Sequence, residues 1–314
     1  MIMKDEYYIL LSFSDHDHLI HQKMSYEKLH SFVKKFRHRL VPDSYRYKYY
    51  ARKLYQWLVH PMEAFLPNHI DTLLIIPDRT LNLLPFSALM IKDTYLVEHY
   101  AINVLPALNI SNHSLQGRTS NYKILFAGVS HQIGTYDILP AIQSEVSYLK
   151  KLPSTILLND QFTFQNMSQF FQNNSYSTIH ISTHGVFNQQ GTTELLTEES
   201  SMSLEDIQSL IQFKGLTDSP VELLILNTCH SAIGDERVAQ GLAGVAIRAG
   251  VKSALASLWY IKDQSAARLV NTFYDHLLEG QLKVKALQAA QKEMIKDLNY
   301  CHPVYWGPYL LIGR

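Results

Sequence analysis

The sequence is poor in cysteine, carries no excess of charge and has no long apolar run. Its two cysteines, Cys229 and Cys301, are too few for the disulfide framework of a small secreted scaffold. Its 28 basic and 28 acidic residues give a formal net charge of zero, which argues against a general binder of nucleic acids or anionic membranes. No stretch approaches the ~20 apolar residues of a membrane helix, and the amino terminus has no signal-peptide pattern. We therefore expect a cytoplasmic protein with no membrane partner.

Glycine and proline are also infrequent, at 13 and 11 of 314 residues, whereas 46% of the residues are hydrophobic and 11% are aromatic. This composition excludes a low-complexity or disordered chain and supplies enough apolar side chains for a large core. A chain of this length fits two domains or one large α/β domain. We predict a lead-in of one hairpin and helices over residues 1–70 and an α/β core over residues 71–314.

The lead-in has the patterns of a hairpin and of two helices. Strand-like runs at residues 7–13 and 19–24 flank a polar tip at 15–18, and apolar residues recur at helical spacing over 26–64 with a break at 42–44. Residues 34–53 carry eight basic residues and one acidic residue, interleaved with tyrosines. That mixture is compatible with a nucleic-acid surface. We favour two solvated helix faces instead, and expect no direct nucleic-acid partner.

From residue 72 onward, short apolar runs alternate with amphipathic segments. The strand-like runs are residues 72–77, 123–127, 155–158, 178–182, 222–226 and 253–258, and the helical patterns are residues 142–152, 204–213, 238–249, 265–278 and 284–298. Nearly continuous apolar runs of this length suit strands that are buried on both faces. The alternation predicts a mainly parallel α/β sheet with helices on both faces. In such a sheet, functional residues gather at the carboxyl ends of the strands.

Two of the predicted strands deliver reactive side chains at their ends. His184 and Gly185 follow one strand, and Cys229 and His230 follow another. A thiol beside an imidazole is the minimal nucleophile–base pair of covalent catalysis. Gly185 has no side chain, so its N–H and that of Cys229 are candidates for an oxyanion hole. The plainer alternative is a small buried cysteine and an ordinary core histidine. A metal site from His180, His184, Cys229 and His230 is disfavoured, because structural zinc ligands come in closely spaced pairs.

The order of strand, His-Gly, helical insertion, strand and Cys resembles that of caspase-like cysteine peptidases, and most closely the CHAT family. The stretches that carry the resemblance are LIIPD (74–78), LPFSAL (84–89), YLVEHY (95–100), LPAIQSE (139–145), HISTHG (180–185), LILNTC (224–229), GLAG (241–244), AGVKS (249–253), SLW (257–259) and YWGPYLLIG (305–313). Each is weakly specific alone, but they occur in family order. The resemblance implies a caspase-like fold, a mainly parallel sheet sandwiched by helices behind the hairpin and helical lead-in.

The resemblance also implies a cysteine endopeptidase that needs no cofactor and no metal. Cys229 matches the nucleophile, which forms a thioester, and His184 matches the acid/base. Family members commonly act in bacterial signalling or defence, which suggests one chosen protein substrate, such as a gasdermin-like effector, and a separate regulatory or sensor protein. The rival hypothesis is a catalytically silent caspase-like interaction module with a vestigial dyad.

Four further residues are candidates for substrate binding. Asp263 matches a position near which separase-like relatives hold a basic P1 side chain, so the resemblance favours Arg or Lys at P1. The alternative for Asp263 is capping of the helix that follows it. His230 contacts substrate or is a plain loop residue, and Trp259 is a core or pocket-wall residue. The structural alternative also applies to Asn227, two residues before the nucleophile.

Overall fold

We analysed a computed structural model of the chain. It describes residues 1–105, 122–187, 193–198, 200–215, 221–230, 250–259, 261 and 263–313. The helices are α1 (Tyr26–Arg39), α2 (Tyr47–Leu58), α3 (His60–Glu63), α4 (Leu96–His99), α5 (Ile142–Leu149), α6 (Phe164–Asn173), α7 (Leu204–Gly215), α8 (Asp263–Leu278) and α9 (Lys283–Lys296). The strands are β1 (Glu6–Ser12), β2 (Asp17–Lys23), β3 (Thr72–Ile75), β4 (Met90–Ile91), β5 (Thr94–Tyr95), β6 (Ala101–Val104), β7 (Ile124–Gly128), β8 (Ser154–Leu158), β9 (Thr178–Phe187), β10 (Thr193–Leu196), β11 (Ser201–Ser203), β12 (Leu223–His230), β13 (Ser253–Ser257) and β14 (Tyr309–Gly313).

A ten-stranded, mostly parallel sheet forms the centre of the molecule. Strands β8, β7, β9, β12 and β13 are parallel neighbours in that order. Strand β14 is antiparallel to β13, and β6 and β3 continue the sheet parallel to β14. One edge of β9 pairs first with β7 and then, beyond the end of β7, with β10. Strand β10 in turn pairs with β11 in an antiparallel hairpin. The predicted mainly parallel α/β architecture is confirmed.

Helices cover both faces of this sheet because its strands alternate their side chains between two cores. On β12, Leu223 and Ile225 join the core that contains α5, α8, α9 and the lead-in helices. Leu224 and Leu226 join the opposite core, with α6 and α7. This alternation explains the nearly continuous apolar runs of the sequence, since both faces of each central strand are dry.

The hairpin and lead-in helices are confirmed, with one difference at the hairpin tip. Asp17 and His18 belong to β2 rather than to the turn, because the antiparallel register continues to the pair Ser12–Asp17. Helix α7 begins with an acidic capping box: the Asp206 carboxylate accepts from the Ser203 N–H at 2.8 Å, and the Asp206 N–H donates to the Ser203 hydroxyl at 3.0 Å. The helix predicted over residues 238–249 lies outside the described residues. Among the described residues, none of the helices meets the length and hydropathy that a membrane span requires.

Candidate active site

The two strands that carry the predicted dyad are direct neighbours. Strands β9 and β12 run parallel, with His184 opposite Cys229 and Gly185 opposite His230 in the register. Their carboxyl ends therefore meet at one edge of the sheet, where α/β proteins place their functional groups. The side chains of Cys229, His230 and Asp263 lie outside what the structure describes. The residues around them define the surroundings of the site.

The imidazole of His184 is held in one orientation by the loop before α5. Its Nε2 atom lies 2.7 Å from the main-chain oxygen of Asp137, and the side chain is buried, with 7% of the residue exposed. The ring of Tyr136 packs on it with 5.3 Å between ring centres. Because a carbonyl oxygen only accepts, Nε2 carries the hydrogen in this contact. In the neutral ring the lone pair is then on Nδ1, which becomes the basic atom.

The backbone of Gly185 lies inside the sheet at the point where two ladders meet. It stands opposite His230 in β12 and opposite Leu195 in β10. The β10–β11 hairpin that supplies Leu195 has no strand-like pattern in the sequence and was not predicted. The assignment of the Gly185 and Cys229 amides to an oxyanion hole stays a prediction.

Asn227 is bound at both ends of its amide. Its Nδ2 donates to Glu145 Oε1 at 2.6 Å, and the hydroxyl of Tyr309 donates to its Oδ1 at 3.1 Å. Glu145 and Tyr309 are buried, and Asn227 itself is half-buried. The sequence suggested Asn227 as a substrate-binding residue, and that role stays a prediction. Its observed contacts are with the interior, and no local sequence signal indicated Glu145 as its partner.

His180 is a neutral histidine beneath the site. It is fully buried, with the ring of Phe126 edge-on at 5.0 Å between ring centres. Burial lowers the pKa of His180 from 6.5 to about 3, because the charged form is poorly solvated there. Its Nε2 lies 3.6 Å from Glu145 Oε2, and its Nδ1 lies 3.4 Å from the hydroxyl of Tyr274. Burial also raises the pKa of Tyr274 well above 10.

Trp259 lies in the segment between β13 and α8, half-buried against the main core. The Arg37 guanidinium of α1 is 5.4 Å from the centre of its ring, and Arg37 also donates to the main-chain oxygen of Leu258 at 3.4 Å. Burial lowers the pKa of Arg37 below its usual value. Helix α8 begins at Asp263, shortly after this segment. No sequence pattern indicated that a lead-in helix reaches this part of the core.

The basic stretch of residues 34–53 spans the end of α1 and the start of α2. A groove of about 460 Å³ on α2 is lined by Tyr45, Arg46, Lys48, Tyr49, Arg52, Lys53 and Gln56. Arg52 pairs with Asp93 at 2.8 Å, and Lys48 lies 5.0 Å from the ring centre of Tyr45. This surface belongs to the lead-in, in agreement with solvated helix faces. Elsewhere, no three His, Cys, Asp or Glu side chains group as a metal site within the described part of the chain.

Comparison with known proteins agrees with this geometry. No curated protein matches the chain significantly in sequence. The structure of the Arg-specific cysteine proteinase gingipain R (RgpB) superposes with a TM-score of 0.54 and 11% identity, covering 91% of this chain and 74% of that chain. The complex of the Porphyromonas gingivalis RgpB pro- and mature domains superposes with a TM-score of 0.52 and 10% identity, covering 91% of this chain and 75% of that chain. At such identities the likeness shows the fold alone. The model of the CHAT domain matches residues 48–314, and the chain therefore belongs to the CHAT family of caspase-like peptidases.

Proposed function

We propose that the chain is a cysteine endopeptidase with Cys229 as its nucleophile and His184 as its general base and acid. The observation that carries the proposal is the register of β9 and β12, in which these two residues stand opposite each other on adjacent parallel strands. The contact between His184 Nε2 and the Asp137 carbonyl supports it, because it selects the tautomer in which Nδ1 can accept a proton. Membership of the CHAT family supports it further.

The reaction runs in two stages. The proton of the Cys229 thiol passes to Nδ1 of His184, and the sulfur attacks the carbonyl carbon of the scissile peptide bond. The C–N bond then breaks, the imidazolium gives its proton to the leaving amine, and a thioester remains on Cys229. In the second stage, water transfers a proton to His184 and attacks the thioester. The carboxylic acid leaves, and the thiol regains its proton.

Negative charge develops on the carbonyl oxygen in both stages. The N–H groups of Gly185 and Cys229 are the proposed donors, and one such donor is typically worth about 3–4 kcal/mol in the transition state. Both donors belong to residues on adjacent strands of the sheet, β9 and β12. Neither stage requires a metal or an organic cofactor.

The proposed substrate pocket involves Asp263, His230, Asn227 and Trp259, with Arg or Lys at P1. The start of α8 at Asp263, close after Trp259 in the chain, is compatible with an acid at the pocket. The Arg specificity of gingipain R, which shares the fold, adds support. We further propose that the enzyme cleaves one chosen protein in bacterial signalling or defence, such as a gasdermin-like effector, under the control of a regulatory or sensor protein.

The test is cleavage of a proteome-derived peptide library by the wild type and by Cys229→Ala, read by mass spectrometry. Cuts that vanish in the variant, clustered after Arg or Lys, are expected. Clustering after Asp or an apolar residue would discard the role of Asp263 but keep the peptidase. If cuts are absent from both proteins and Cys229 is no more reactive to alkylation than Cys301, the silent interaction module replaces the proposed enzyme.

A further inference from the structure

One buried carboxylate touches both strands that carry the dyad. Glu145 on α5 accepts a hydrogen bond from Asn227 on β12 at 2.6 Å through its Oε1 atom. Its Oε2 atom lies 3.6 Å from Nε2 of His180 on β9. Asn227 is two residues before Cys229, and His180 is four residues before His184. Glu145 therefore contacts the first part of β9 and the middle of β12, upstream of the dyad on each strand.

Asn227 and His180 each have a second polar partner besides Glu145. The Tyr309 hydroxyl of β14 donates to Asn227 Oδ1 at 3.1 Å, and the Tyr274 hydroxyl of α8 lies 3.4 Å from His180 Nδ1. Glu145, His180, Tyr274 and Tyr309 are all buried, with no more than 1% of each residue exposed. Hydrogen bonds in such an interior are directional and costly to break, because no water replaces the lost partner.

The chain leading into α5 makes a third contact with the same strands. Asp137, whose carbonyl accepts from His184, is eight residues before Glu145. One short segment thus contacts His184, His180 and Asn227. Apolar packing alone would stabilise this part of the core equally well. The hydrogen bond to Asn227 and the approach to His180, which at 3.6 Å is too long for a hydrogen bond, add polar contacts at defined positions on the two strands.

We propose that Glu145 is a positioning residue of the peptidase, which fixes β12 relative to β9 upstream of the dyad so that Cys229 and His184 meet in reactive geometry. This inference rests on the proposed function. Misplacement of reacting groups by about 1 Å costs on the order of 100-fold in rate. Glu145 is buried beneath the site and does not reach the substrate. Its removal should therefore lower kcat and leave KM nearly unchanged.

The test compares Glu145→Leu, which removes both contacts at similar volume, with Glu145→Gln, whose amide oxygen can still accept from Asn227. On a peptide that the wild type cleaves, Glu145→Leu is expected to lower kcat by about 10- to 100-fold with KM changed by less than about threefold. Glu145→Gln is expected to restore most of kcat. Asn227→Ala should lower kcat less in the Glu145→Leu background than in the wild type, since residues acting as one unit are not additive.

Asn103→Ala is the matched control for a purely structural loss. Asn103 is a fully buried amide on β6 that donates to the Gly313 carbonyl at 2.7 Å, so its removal also breaks a buried hydrogen bond in the sheet. All variants are assayed well below their melting temperatures, and the control should keep kcat. The positioning role would be overturned if Glu145→Leu kept the wild-type kcat, or if Asn103→Ala lost as much kcat as Glu145→Leu. Either result would leave the proposed peptidase activity intact. A wild type that neither cleaves nor shows a reactive Cys229 would instead remove the proposed function.

Discussion

At the scale of single residues, the two histidines of β9 differ in burial. His184 and His180 lie on the same strand, four residues apart, but their surroundings differ. His184 has a carbonyl partner and is 7% exposed, whereas His180 is fully enclosed and its pKa is lowered to about 3. The first is the proposed acid and base of the peptidase. The second is a neutral hydrogen-bonding group of the core.

The buried His180 predicts an acid-sensitive stability. Because its pKa is about 3 when folded and near 6.5 when unfolded, the unfolded chain binds the extra proton between these values. The contribution of His180 to the free energy of unfolding is therefore fully present above pH 6.5. It is lost as the pH drops toward 3, by up to about 1.4 kcal/mol per pH unit.

Urea unfolding at several pH values between 7.5 and 4.5 measures this loss in the wild type and in His180→Phe. The variant should lose less stability than the wild type over that interval, because the other titrating groups are shared. If the two stability curves run parallel with pH, His180 is not the buried neutral group described here.

At the scale of elements, the close approach of β7 and β9 fixes where the His184 strand lies. A Cβ atom on Gly128 would stand 2.6 Å from the carbonyl oxygen of Ser182, and the adjacent Val129 N–H donates to that same oxygen at 3.2 Å. Since Ser182 precedes His184 by two residues, any side chain at position 128 must push this part of β9 away.

We predict that Gly128→Ala lowers the free energy of unfolding by about 1–3 kcal/mol, the usual range for an added methyl group in a packed interior. Gly280→Asn is the control, because Gly280 has φ of +84° with open space around it, a conformation that asparagine tolerates. Urea titration compares the two variants. Equal stability of Gly128→Ala and the wild type would show that the two strands can separate at no cost.

The sequence predicted the central strands well and the polar parts of the sheet poorly. Apolar runs identified β7, β9, β12 and β13 because both faces of each are buried, and also β8, an edge strand in which Leu157 is buried and its neighbours are half-buried. Strand β6 was missed because a fully buried amide, Asn103, interrupts its apolar pattern. The His184 and Cys229 pairing followed from strand ends alone. Glu145 could not be found in this way, because a carboxylate on a helix normally indicates a solvated face, and its partner Asn227 is 82 residues away along the chain.

At the scale of the whole molecule, charge is unevenly distributed although the net charge is zero. Residues 34–53 hold eight of the 28 basic residues and one of the 28 acidic residues. The lead-in is joined to the core by specific contacts, such as the Ile2 N–H donating to Asp78 at 2.8 Å and Arg37 against Trp259. The basic surface therefore sits on an integral part of the molecule. The division at residue 70 stays a prediction.

We predict that this surface does not bind nucleic acid tightly. Retention on a heparin column, eluted with a salt gradient, measures the polyanion affinity, which depends steeply on salt when many phosphates are neutralised. The wild type should elute at or below about 0.15 M salt, near physiological ionic strength. Lys48→Glu combined with Lys53→Glu should elute at the same position. Strong retention that the double variant abolishes would establish a nucleic-acid or other polyanion surface.

The central claim is that Cys229 and His184 work as a nucleophile and its base, and the rate of Cys229 alkylation tests it most directly. An ordinary thiol has a pKa near 8.5 and is only about 3% thiolate at pH 7. With iodoacetamide at pH 7, we predict that Cys229 reacts at least about tenfold faster than the partly exposed Cys301, and that His184→Ala removes this difference while leaving Cys301 unchanged. Equal rates at the two cysteines, or a fast Cys229 that does not depend on His184, would contradict the account.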